Sequence, residues 1–161
     1  IQTYQQAKPE TIETLDKTEA FIEAKVTPED RKKYILDVTA DEWGVRVTLA
    51  NSALFASGSE KFRPEAVKFV ERFSDLLSQT KRKVLIEGHV SNNETGNFNS
   101  TWDFASARAV NLLRFMQKKQ NFPGNKLGAA SFGDSRRLYE GPQADLNSRL
   151  EIVLLNQDLE F

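Results

Sequence analysis

The chain contains no cysteine, one histidine and one methionine. Without thiols there are no disulfides, no thiolate zinc site and no cysteine nucleophile. A single histidine excludes a metal site built from several imidazoles. Neither sign of charge is in excess: 22 Lys and Arg stand against 23 Asp and Glu, a net charge of −1. Such a chain has no basic field with which to hold a polyanion, so no nucleic acid is expected among its partners. No apolar run approaches the ~20 residues that cross a bilayer, and nothing reads as a signal peptide. What remains is ordinary globular material, 161 residues with 39% apolar and 28% charged side chains. That length suits one domain with an added segment. The first residue is Ile1 rather than Met, which predicts a fragment or processed chain that a membrane anchor could precede.

Residues 1–33 are polar and punctuated by Pro9 and Pro28. Between them Ile12, Leu15, Phe21 and Ile22 fall roughly on one side of a helix starting after Pro9. The stripe is thin, and a docked leader helix and a linker both fit it. Two β-rich runs follow, 34–38 and 45–49, separated by an acidic, Gly-containing turn that reads as a hairpin. Val45, Val47 and Leu49 point one way while Arg46 and Thr48 point the other, predicting one buried face. Residues 50–60 read as a loop pinned by Leu54 and Phe55, with Ser59 available to cap the next helix.

Phe62, Ala66, Phe69, Val70, Phe73, Leu76 and Leu77 recur three and four apart, the pattern of an amphipathic helix over 62–77. Lys81-Arg82-Lys83 then reads as a solvated helix end that complements the C-terminal dipole. A strand over 84–90 runs into a long Asn-rich loop over 91–101, of a length that is often functional. A second helix turns Ala105, Ala109, Leu112, Leu113 and Met116 inward and stops before Pro123. A short run over 126–132 and a last strand, Arg149–Leu155, complete the chain. The order predicts an α+β fold of two layers, with helices packed on one face of a mixed four- to five-stranded sheet. The division expected is a leader over 1–33 and a folded domain over 34–161.

Arg108 is the most informative position. It lies three residues after Ala105 and four before Leu112, on the side of its helix that faces the sheet. A guanidinium there needs an anion, because an uncompensated buried charge is costly. An internal ion pair would satisfy it, and so would a carboxylate-bearing ligand gripped bidentately. His89 shares a strand face with Glu87, and with Asp103 the pair could form an acid–base group. No nucleophile accompanies them, and a hydrogen-bonded structural histidine is the simpler reading. Trp43 and Trp102 read as packing residues.

Four segments recur in a familiar order: 54–60 (Leu-Phe-Ala-Ser-Gly-Ser-Glu), 86–89 (Ile-Glu-Gly-His), 102–109 (Trp-Asp-Phe-Ala-Ser-Ala-Arg-Ala) and 147–152 (Asn-Ser-Arg-Leu-Glu-Ile). Together they resemble the OmpA-like peptidoglycan-binding domain, with its GHTD strand end, LSxxRA helix start and NRRVE final strand, over roughly residues 34–155. The Phe-x-x-Gly-Ser segment and the aromatic before the helix look more like the flagellar stator branch of that family than its outer-membrane branches. The resemblance implies that Arg108 takes a carboxylate of the diaminopimelate in the peptidoglycan stem peptide. The family Asp that holds the diaminopimelate ammonium is replaced by Ser91, and the Thr before it by Val90. Thr101 stands where the family has Asn, and Phe104-Ala105 where it has Leu-Ser. Of the two family arginines in the last strand, the first is Ser148 and the second is Arg149.

Ser91 lacks the charge of the residue it replaces, and charge-assisted hydrogen bonds are roughly twice as strong as neutral ones. Either Glu94 or Asp103 supplies the carboxylate from elsewhere, or the wall carries a different diamino acid, or binding is weak and a partner protein completes it. The wall-facing set implied is Arg108, Ser91, Asn92, Glu94, Thr101 and Arg149. The resemblance further implies non-catalytic anchoring of a stator on the periplasmic side of the inner membrane, with no cofactor and no metal. Its expected partners are the stem peptide, a second copy of the chain and a channel-forming stator subunit. A lipoprotein or secretion-system anchor of the same family is the alternative, as is a domain whose wall grip has weakened.

Overall fold

The structure is a computed structural model and describes residues 8–157 and 159. The first seven residues of the leader, and residues 158, 160 and 161, lie outside the described residues.

Helix α1 spans Pro9–Lys25 and helix α2 spans Pro28–Tyr34, each opened by a proline at its first turn, where a missing N–H costs nothing. The Thr27 side chain caps α2 by accepting from the Asp30 N–H at 3.1 Å. The buried stripe of α1 is Thr11, Leu15, Thr18 and Ile22, whereas Ile12 stays 36% exposed. Hydrophobicity alone underrates this helix because half of its buried positions are threonines with satisfied hydroxyls. Thr11 Oγ1 donates to Asn156 Oδ1 at 2.6 Å and Thr18 Oγ1 to the Thr14 carbonyl at 2.7 Å.

Strands β1 (Ile35–Asp41) and β2 (Gly44–Ala50) form the antiparallel hairpin, closed by a tight turn at Glu42 and Trp43. A four-residue helix α3, Asn51–Leu54, occupies part of the segment expected to be loop. Helix α4 runs Val67–Gln79 and begins later than the apolar spacing suggests, after a 3₁₀ turn at Pro64–Ala66. Phe62 lies outside it, paired with Phe55 in an isolated bridge and stacked on that ring at 4.9 Å. The cause is Pro64, which biases Arg63 toward extended backbone. Ser59 caps no helix; its hydroxyl accepts from the Lys61 N–H at 3.0 Å.

Strand β3 (Val84–His89), helix α5 (Thr101–Gln120), strand β4 (Leu127–Ser131) and strand β5 (Arg149–Leu155) follow. The sheet order is β1-β2-β5-β3-β4, with β3 and β4 parallel and every other pair antiparallel. The fold is therefore an α+β layer pair on a mixed five-stranded sheet. One core joins Val45, Val47 and Leu49 to Leu15 and Ile22 of α1, Phe69, Phe73 and Leu77 of α4, and Leu112 and Met116 of α5. Arg82, read as part of a solvated helix end, is instead mostly buried and pairs with Glu10 of α1 at 3.0 Å.

The opposite sheet face is not left to solvent as the hairpin pattern suggested. Thr48 is buried there, as are Glu87, His89, Arg149 and Glu151. Residues 132–147, an irregular strap between β4 and β5, are tied to this face through Arg149. Its Nη2 donates to the Arg136 carbonyl (3.1 Å), its Nη1 to the Asn147 carbonyl (2.9 Å) and its Nε to Glu151 Oε2 (2.7 Å). Phe132 stacks on His89 at 5.3 Å, and the Arg136 guanidinium lies 3.7 Å over the Phe132 ring.

Candidate functional site

The site sits where β3, β5, α5 and the loop before α4 converge. Gly88 lets α5 come down onto the sheet, since a Cβ there would lie 2.1 Å from the Ala105 carbonyl oxygen. The Ser100 hydroxyl caps α5 by accepting from the Asp103 N–H at 3.1 Å. One helical turn further on, Arg108 is delivered inward and is only 3% exposed.

No carboxylate closes on it tightly. Its Nε donates to the Ser59 carbonyl at 2.9 Å and its Nη1 to the Ser148 hydroxyl at 3.1 Å. Its guanidinium carbon lies 4.0 Å from the Phe104 ring centre and 5.0 Å from that of Phe55. Glu94 Oε2 stays 3.9 Å from Nη1, at the edge of ion-pair range. Burial draws the Arg108 pKa down to about 10, an effect that Glu94 and Glu60 only partly offset. This is a desolvated cation with spare donor capacity: Nη2 makes no hydrogen bond among the described residues.

Arg108 opens onto a cavity of about 360 Å³ shared with Ser91, Glu94, Asp145 and Ser148 on one side and Ser52, Ser57 and Arg63 on the other. Glu94 is fixed in it, because its Oε1 accepts from the Ser91 N–H at 3.1 Å. The Ser91 hydroxyl is 3.4 Å from the carbonyls of both Ala144 and Asp145. A cation flanked by a carboxylate and several hydroxyls can take a ligand that carries a carboxylate and an ammonium close together.

The structure thus brings Arg108, Ser91 and Glu94 to one cavity and leaves three expected residues out of it. Asn92 is exposed in the turn after Ser91. Thr101 starts α5 with its hydroxyl 3.3 Å from Asp134 Oδ1, away from the cavity lining. Arg149 lies on the far sheet face, holding the strap. Of the two candidates for a displaced carboxylate, Glu94 lines the cavity, whereas Asp103 is exposed in the first turn of α5. Arg63, Ser148 and Asp145 were not singled out from the sequence. Ser148 had a signal, since it stands where the family motif has an arginine; Arg63 had only its place before Pro64.

Asp103 is likewise absent from the His89 group. His89 Nε2 is 3.3 Å from both Glu87 Oε1 and Glu151 Oε2, and Arg46 Nη1 reaches the same two carboxylates at 2.8 and 3.1 Å. Glu87, His89 and Glu151 present three possible ligand atoms within 4.8 Å of one another. The two carboxylates are already engaged, Glu87 by Arg46 and Glu151 by Arg46 and Arg149, so the glutamates are the counter-charge of two arginines and His89 hydrogen-bonds between them. Burial opposes ionisation of Glu87, but the His89 hydrogen bond and Arg46 outweigh it and hold its pKa below the ordinary value. Trp43 and Trp102, expected to pack, are about half exposed.

The sequence pattern of the OmpA family matches residues 54–149, more than half of the chain. The chain belongs to the OmpA family. The match spans the whole cavity apart from Ser52. A curated relative, the "Uncharacterized protein YtxE" of Bacillus subtilis (strain 168), is 26% identical over 119 residues, 71% of this chain. The chain spans about half the length of that relative, 49%.

Among solved structures, a putative MotB-like protein from Desulfovibrio vulgaris superposes with a TM-score of 0.76 at 20% identity, covering 91% of this chain and 94% of that one. The cell wall anchor of the type VI secretion system from Pseudomonas aeruginosa gives 0.72 at 24% identity, covering 86% and 97%. The periplasmic domain of Helicobacter pylori MotB gives 0.67 at 18% identity, covering 74% and 81%. At these identities the likeness is one of fold. No helix among the described residues is long and apolar enough to cross a membrane.

Proposed function

We propose that this OmpA-family chain is a non-catalytic anchor that grips the peptidoglycan stem peptide through the Arg108 cavity. The observation that carries the reading is a guanidinium buried to 3% exposure that faces a cavity whose Glu94 carboxylate stays 3.9 Å away. A fold gains nothing by burying such a charge unless the site is kept ready for an anion. Arg108 takes the carboxylate of the ligand, and Glu94 takes the ammonium in place of the family Asp lost at Ser91.

The biological setting we favour is a MotB-type flagellar stator held on the periplasmic side of the inner membrane. Such a unit works as a homodimer with a MotA-type subunit bound through a part preceding this chain, and residues 1–33 control access to the wall. Torque requires a stator that does not turn with the rotor, which is what a wall grip provides. The extent of likeness to the Pseudomonas anchor supports a second setting, a secretion-system anchor with the same grip.

Exchanging the chain for the corresponding part of a flagellar stator separates the two. Motility that is restored by the wild-type graft and lost with Arg108→Met is expected. A graft that swims equally well with Arg108→Met contradicts the wall grip; a stable graft that never swims, yet works in a secretion-system anchor, favours the second setting.

A further inference from the structure

Residues 90–100, which bring Ser91 and Glu94 to the cavity, belong to no strand or helix. Their shape is therefore set by other contacts. The first turn, Ser91 to Glu94, is closed by the Glu94 N–H donating to the Ser91 carbonyl at 3.0 Å. The Ser91 N–H in turn donates to Glu94 Oε1 at 3.1 Å. The third residue of the turn, Asn93, has φ +61°, a left-handed conformation that residues other than glycine enter at a cost. Asn121 shares that conformation but ends α5, where it is usual. Asn93 ends no helix and is held from outside.

The holding contact comes from the strap. Asp134 Oδ2 accepts from the Asn93 N–H at 3.0 Å, and Asp134 Oδ1 accepts from the Thr101 hydroxyl at 3.3 Å. One carboxylate thus ties the first turn of the loop to its far end, at the start of α5. Asp134 is not among the residues that line the cavity, so it acts on a ligand there only through others. Resting on the wall-binding reading above, we propose that Asp134 is a positioning residue for the grip. It keeps Asn93 left-handed, and through that turn it sets Glu94 3.9 Å from Arg108. At that distance Glu94 can take the ligand's ammonium while the guanidinium stays open to its carboxylate. The role is one of shape and not of charge. An asparagine at 134 can make both contacts, its Oδ1 accepting from the Asn93 N–H and its Nδ2 donating to the Thr101 hydroxyl. An alanine makes neither.

The test is co-sedimentation over a range of purified peptidoglycan concentrations, with thermal unfolding as the check on folding. Wild type is compared with Asp134→Ala, Asp134→Asn, Glu94→Gln, the double variant of Asp134→Ala with Glu94→Gln, and Arg108→Met. Asp134→Ala is expected to weaken binding by about ten-fold, the worth of one charge-assisted hydrogen bond misplaced at Glu94. Asp134→Asn should keep most of the binding. Because the effect runs through Glu94, Asp134→Ala should weaken the Glu94→Gln protein no further. At Asn93 itself, Val should reproduce the loss, since a β-branched side chain resists the left-handed conformation, whereas Gly should not. Equal losses in Asp134→Asn and Asp134→Ala would overturn the inference by making the charge the active feature. So would unchanged binding in Asp134→Ala, or its full loss repeated on top of Glu94→Gln. In each of these cases the wall-binding reading stands if Arg108→Met still abolishes binding. If wild type fails to bind the wall, or Arg108→Met binds as well as wild type, both fall together.

Discussion

Arg108 separates a side chain kept for folding from one kept for a ligand. Burial draws its pKa down to about 10, which corresponds to about 3 kcal/mol that burying its charge costs the native state. Its stacking on Phe55 and Phe104 and its two hydrogen bonds offset part of that. Replacing it with Met keeps the packed stem and removes the charge. Arg108→Met should therefore leave stability unchanged or raise it by up to about 3 kcal/mol in urea denaturation, while wall binding disappears. A loss of more than about 2 kcal/mol would make Arg108 a structural residue.

Glu87 is the opposite case. Its folded pKa lies below 4.5, so its contribution is complete above that value and is lost as pH falls through the folded pKa. Stability should drop on the acid side of the ordinary carboxylate range, and Glu87→Gln should flatten that drop. Denaturation curves at a series of pH values read both effects.

At the level of elements, the decisive contact is the crossing of β3 and α5. The Ala105 carbonyl occupies the place of a Cβ on Gly88, and backbone cannot rotate away as a side chain can. Gly88→Ala should cost about 2 kcal/mol or more in stability and should weaken ligand binding with it, because α5 carries Arg108. A binding constant unchanged in a folded Gly88→Ala protein would show that the site does not depend on that crossing.

The strands also explain what was and was not legible in the sequence. Arg108 could be placed from helical spacing, and the last strand and helices α4 and α5 follow from periodicity. Arg149 followed the family motif rather than the period of two, although Leu150, Ile152 and Leu154 turn into the core and so send Arg149 and Glu151 to the far face. The strap over 132–147 has no periodicity to read, being held by Arg149 and Asn147 rather than by an apolar stripe. Phe62 joined the helix on paper because spacing registers apolar positions and not the proline between them. Arg63 escaped notice because it reaches the cavity lining only once the chain is folded.

Over the whole molecule, the leader and the sheet share one core. Ile22 is fully buried in the same cluster as Val47 and Leu77, and Arg82 is clasped to Glu10 across that boundary. Ile22→Ala should cost about 3 kcal/mol and lower the single unfolding transition of the chain; a separate early transition for the leader would instead divide the two. A leader built into the core moves with the sheet that carries β3 and β5, because Leu15 and Ile22 of α1 pack in the same cluster as the strands.

The central claim is that a buried arginine, with Glu94 held off at 3.9 Å, grips the wall. Co-sedimentation with purified peptidoglycan tests it most directly, using wild type, Arg108→Met and Glu94→Gln. The account predicts that wild type pellets, that Arg108→Met stays in the supernatant although folded, and that Glu94→Gln pellets only in part. Arg108→Met pelleting as fully as wild type would contradict it.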